Sequence, residues 1–174
     1  MKPIHFLLVF LLLAIGLTTF LILMGEPPNG HGMPHASIAG MQQVGDAWGR
    51  TEPILLHGTI LGVLIYLIMI TALYMSVVEE KRTTAFKLAM LGATVVVMIV
   101  WFAMISSYTS WLQGDDPSVV MGFPAPTAWT LYGIWMSPLG FTFIYVFGFR
   151  HWFFTEADEA RFNELLKEKK NNND

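Results

Sequence analysis

Four stretches of this chain carry no Asp, Glu, Lys or Arg: about residues 4–24, 54–78, 88–108 and 128–149. A hydrocarbon core about 30 Å thick takes about 20 apolar residues to cross as a helix. Each stretch reaches that length. Lipid offers backbone groups no partner, so a spanning segment must satisfy its own, which a helix does. Only 13% of the 174 residues are charged, against about a quarter in soluble domains. The expected fold is therefore all-α: a single integral membrane domain over residues 1–174, built as a four-helix bundle, with a short amphipathic helix in its C-terminal tail.

The fourth stretch shows its membrane setting most fully. Prolines at 124 and 126 lead into it, and Arg150 with the collar His151-Trp152-Phe153-Phe154 closes it. Aromatic residues of this kind gather at headgroup depth. A polar segment follows, opened by Thr155, which is expected to cap a helix running to about Lys169. Acidic residues suit its first turn and lysines its last.

Upstream, the first stretch follows Lys2 and competes with a cleaved leader. It is longer than the usual apolar region of a leader, and no small-residue cleavage pattern precedes Gly25-Glu26-Pro27-Pro28. A retained span is the expectation. In the linker 25–53, Ile38, Met41, Val44 and Trp48 stand near helical spacing, which predicts an amphipathic helix over 36–48. Pro53 is expected in the first turn of the second span, where its missing N–H costs nothing. The turn at Glu79-Glu80-Lys81-Arg82 is short, so the second and third spans should form an antiparallel hairpin. Gly58 and Gly62, four apart, mark a face of the second span that another helix can approach closely. Ala85, Ala89 and Ala93 mark a similar seam on the third.

Chemistry-bearing residues are sparse. There is no cysteine, which excludes disulfides, iron–sulfur clusters, thiolate metal sites and covalently attached haem. No basic patch suits nucleic acid. Proton relays and ion-coupled transporters normally need ionisable groups within their spans, and here only His57 stands there. It is read as an interhelical hydrogen-bonding residue or one facing a vestibule. Pro138 removes one helical bond and frees a carbonyl near Ile134, read as a packing kink. His5 and His151 fall at the same end of the first and fourth spans, where a bis-histidine haem is the functional alternative to ordinary interfacial histidines. His31 and His35, with Met24 and Met41 near them, would suit copper, against a plain polar loop. No cofactor or metal is expected.

Phe123-Pro124, Trp129, Gly133, Phe143, Ile144-Tyr145-Val146 and Asp158 resemble the C-terminal part of the small accessory subunits of bacterial sodium/solute symporters. The resemblance covers about 40 residues. The typical small subunit of that family has two spans, and this chain has four. It implies a non-catalytic accessory subunit bound to a larger membrane transporter subunit in the bacterial inner membrane. The alternative is a small subunit of a respiratory or redox complex holding b-type haem.

The basic residues orient the chain. Lys2 precedes the first span. Lys81, Arg82 and Lys87 lie between the second and third. Arg150, Arg161, Lys167, Lys169 and Lys170 follow the fourth. Only Arg50 falls on the opposite side. Segments rich in Lys and Arg stay in the cytoplasm, so both termini and the tail 150–174 are expected there, with the linker 25–53 periplasmic. Reporter fusions at Asp174 and near Gly40 should read cytoplasmic and periplasmic respectively. The opposite pattern would overturn this orientation.

Overall fold

The structure, a computed structural model, describes residues 2–26, 32–43, 47–116 and 118–171. Among these, four helical segments are long and apolar enough to cross a membrane, as the sequence predicts. They are α1 (Pro3–Leu23), α2 (Ala47–Met75), α3 (Thr84–Leu112) and a composite fourth span, Ala125–Phe153. Within the fourth span α4 (Ala125–Ala128) passes into a π-helical segment, Trp129–Ile134. Past Pro138 it resumes as α5 (Leu139–Gly148) and ends in a second π-helical segment, Phe149–Phe153. The tail forms α6 (Glu156–Asn171).

Neighbours in sequence are neighbours in space. α1 lies on α2, α2 on α3, and the fourth span on α3. With four crossings both termini share one side. That side holds the core: Val77, Phe86, Met90, Val97 and Phe141 are buried, with Tyr74, Tyr145, Trp152 and Phe153 packed around them. Phe86 has no exposed surface. Tyr74 stacks on it at 5.8 Å, and Trp152 meets it edge-on at 5.3 Å. Lipid exerts no hydrophobic force between helices, so such close packing supplies the cohesion. α1, which runs the whole depth from Pro3 to Leu23, packs on α2 but has no fully buried residue.

Three details depart from the sequence reading. Residues 36–40 do not form an amphipathic helix. They join a small antiparallel hairpin, β1 (Met33–Pro34) with β2 (Gln42–Gln43), closed by His35 N–H donating to Met41 O at 2.8 Å. Gly40 at φ +80° takes the left-handed turn that a helix could not hold. Val44 of the expected helix falls outside the described residues. Pro53 sits inside α2, whose first residue is Ala47, because the helix extends through the polar stretch Arg50-Thr51-Glu52 before it meets apolar sequence. α3 likewise starts ahead of the apolar stretch, since the Thr83 hydroxyl accepts from Phe86 N–H at 3.3 Å and fixes the helix start there.

The second hairpin pairs β3 (Val119–Val120) with β4 (Phe123–Pro124). Its two-residue turn, Met121-Gly122, has φ of +51° and +85°. Positive φ at both positions is the mirror-image turn that matches strand twist. The Phe123-Pro124 pair thus leads directly into α4, and Ala125 N–H donates back to Ser118 O at 2.8 Å.

The glycines of α2 separate in role. A Cβ on Gly62 would stand 2.1 Å from Cζ2 of Trp101, so α3 approaches α2 through that gap. A Cβ on Gly58 would meet nothing within 4 Å. Gly62→Ala should therefore destabilise the isolated chain by about 1–3 kcal/mol, the usual cost of overpacking. Gly58→Ala should leave it unchanged or slightly firmer. Thermal unfolding in detergent decides, and equal effects would remove the distinction.

Candidate functional site

The densest polar constellation lies where the core meets the tail, on the side of the termini. Lys81, at the end of the turn Glu79–Lys81, forms an ion pair with Asp158 of α6 and donates to the Phe153 carbonyl at 3.3 Å. Asp158 also accepts from Thr155 N–H and from Thr155 Oγ1–H, both at 2.7 Å. Thr155 was expected to supply the cap. Instead the acid three residues on reaches back to it, the carboxylate half of a capping box. Three donors converge on one carboxylate oxygen. They hold its pKa down to about 2 from an ordinary 3.8, chiefly through Lys81 and then through Thr155.

Next to this pair, Arg82 turns back under α2. Its Nε donates to Val77 O at 2.8 Å, and its guanidinium lies 4.8 Å from the centre of the Tyr74 ring. The Arg82 side chain thus serves a carbonyl at the C-terminal end of α2, where the helix dipole favours a cation. Deeper in, Tyr145 donates to Leu73 O and shares a 2.7 Å bond with Ser76 Oγ. Trp152 Nε1–H donates to Thr83 Oγ1 at 3.1 Å. Trp152 can lie there because Gly148, four residues earlier, leaves room for its ring; a Cβ would stand 2.1 Å from Cε3. Together these bonds clasp the α2–α3 turn to the end of the fourth span.

The sequence-derived site residues lie elsewhere and do not converge. His57 faces α1, its ring 5.1 Å from that of Phe20, and its Nδ1 is buried without a hydrogen-bond partner. It packs against an aromatic ring where a bond between helices was expected. Pro138 ends a break in the fourth span. Leu139, Gly140 and Phe141 donate to carbonyls three residues back, at 3.0–3.2 Å, before regular helix resumes. Beside the break, a cleft of about 660 Å³ opens between α3 and the fourth span under the second hairpin, lined by Val96, Val100, Met121, Trp129, Tyr132 and Ser137. Ser137 Oγ is buried there without a partner.

The other histidines stay apart from one another in role. His5 Nδ1 lies 3.2 Å from Lys2 N and 3.3 Å from Lys2 O, closing the start of α1. His151 is exposed beside Arg150 and Glu159, which form an ion pair. His35 Nδ1 accepts from Ser37 N–H at 3.2 Å. His31 lies outside the described residues. Among those described, no group of three or more His, Cys, Asp or Glu could hold a metal.

Lys81 and Asp158 were legible only in part. The charged turn and the Thr155-x-x-Asp158 spacing each mark a helix boundary, but nothing in the sequence joins residues so far apart. Together the fold and the clasp define a multi-pass membrane protein whose polar groups brace its ends. Comparisons with family models, with curated proteins and with solved structures find no match to the chain.

The depressed Asp158 pKa sets a pH window. The folded carboxylate has the lower pKa, so its contribution is complete above about pH 4 and is lost as pH falls towards about 2. Hydrogen exchange in the first turn of α6 should quicken over that window. In Asp158→Asn the same turn should exchange fast already at pH 7 and show no such step. A step that persists in Asp158→Asn would assign it to another group.

Proposed function

We propose that this chain is a non-catalytic small subunit of a larger bacterial inner-membrane transporter, of the sodium/solute symporter kind, with both termini in the cytoplasm. The observation that carries this reading is the unfilled close-approach surface. Gly16, Gly58 and Gly92, one on each of the first three spans, have nothing within 4 Å of where a Cβ would stand. α1 packs on α2 by one side only and has no fully buried residue, and Leu8, Leu12, Ile15 and Ile22 stay exposed. Small residues let helices approach closely in lipid, and here three helices offer such places to something other than this chain. The charge-free spans support a passive role, because an ion path normally requires polar groups inside the membrane. The resemblance around Phe123-Pro124, Tyr145 and Asp158 supplies the transporter class.

Mild solubilisation and affinity purification from native membranes tests the proposal. A larger multi-pass transporter subunit should come down in fixed ratio. Gly58→Leu and Gly92→Leu should lower that recovery several-fold while the chain's own level holds. Vesicles containing this chain alone should show no sodium-driven uptake, and the pure protein no haem absorption. A chain recovered alone, or uptake by the chain alone, overturns the reading.

A further inference from the structure

We infer that the slot between α1 and α3 on the side of the termini binds one anionic glycerophospholipid, its phosphate at Lys87 and one acyl chain between the helices. The slot holds about 440 Å³. Phe6 and Phe10 of α1 form one wall, Met90 and Leu91 of α3 the other, and Ile70 of α2 the floor. It runs inward from Lys87 to Thr94, about 10 Å at the helical rise. Two of the three hydroxyls on its lining are spent: Thr71 donates to Leu67 O and Thr94 to Met90 O, each at 2.7 Å, while the third, on Tyr74, stands towards the same end as Lys87. Away from that end, towards Thr94, the slot therefore offers mainly hydrocarbon contacts.

The mouth is different. Lys87 stands one turn into α3, near the positive end of the helix dipole. Of the neighbouring cations, Lys81 is paired with Asp158 and Arg82 donates to backbone carbonyls. Lys87 has no carboxylate partner among the described residues, although Glu79 and Glu80 lie in the adjoining turn. An unpaired cation at headgroup depth above an apolar slot complements a lipid phosphate. A partner helix is too thick for it, since a helix with its side chains is about 10 Å across and would need more space than the slot provides over that depth. An extended acyl chain suits the narrow shape.

The full-length protein can be purified in non-ionic detergent, offered phosphatidylglycerol and phosphatidylcholine with matched chains, and examined by native mass spectrometry. One phosphatidylglycerol should be retained in about five-fold preference, the discrimination expected of one basic residue. Lys87→Gln, an exposed change that leaves the core intact, should abolish the preference. Leu91→Trp should fill the slot and remove the retained lipid with Lys87 still present. Ile99→Trp, on the same helix outside the slot, should change nothing. Excess inorganic phosphate should not displace the lipid; if it does, the site is one for free phosphate. Equal retention of both lipids by the wild type, or retention unaltered by Lys87→Gln and Leu91→Trp, overturns the inference.

Discussion

The short turn between α2 and α3 is the constraint on which the rest depends. It brings Met75 and Thr84, the last and first residues of two long helices, onto the same side. Antiparallel neighbours follow at once, and so does the place of the core. Tyr74 and Phe86 can stack only because the chain reverses between them. With that pair fixed, the fourth span finds a ready surface for Phe141 and Tyr145, and its exit can lay Trp152 over Thr83. The polar groups of the turn do not oppose this arrangement. Lys81 and Arg82 donate to backbone carbonyls and Thr83 accepts from the Trp152 indole, at a depth where unpaired groups are costly.

The two sides of the membrane are consequently unlike. On the side of the termini Lys81, Arg82, Thr83, Tyr145 and Trp152 are all paired next to the core. Among the described residues, four buried side-chain atoms without partners, on Arg50, His57, Trp101 and Ser137, lie at mid-depth or towards the loops. The wide cleft beside Pro138 lies there too.

The spans were legible because the pattern that marks them is chemical. An uncharged stretch of twenty residues has few alternatives in lipid. Their ends were less so. Arg50, Thr51 and Glu52 read as linker, yet they continue α2, since helix geometry is indifferent to polarity once the helix is nucleated. The amphipathic pattern of Ile38 and Met41 was outweighed by the left-handed glycine at 40. Gly62 was legible as a place of close approach, but Gly58, with the same spacing signal, is open. Which of two such glycines meets a neighbour depends on helix rotation, and rotation is set by partners such as Trp101 that no local pattern names. The joining of Lys81 to Asp158 was hidden for a similar reason, because pairing across a fold leaves no trace in spacing.

The broken fourth span has a structural consequence. Around Pro138 the bonding register changes, so the two halves of the span do not share one continuous ladder of bonds. The segment from Ala125 to Ile134 is held by the second hairpin and by Val100 against Gly133, independently of the segment from Leu139 to Gly148. The latter is anchored by Tyr145 to the Leu73 carbonyl. The span thus carries two separately anchored halves, joined at Pro138 by a change of bonding register from i−4 to i−3.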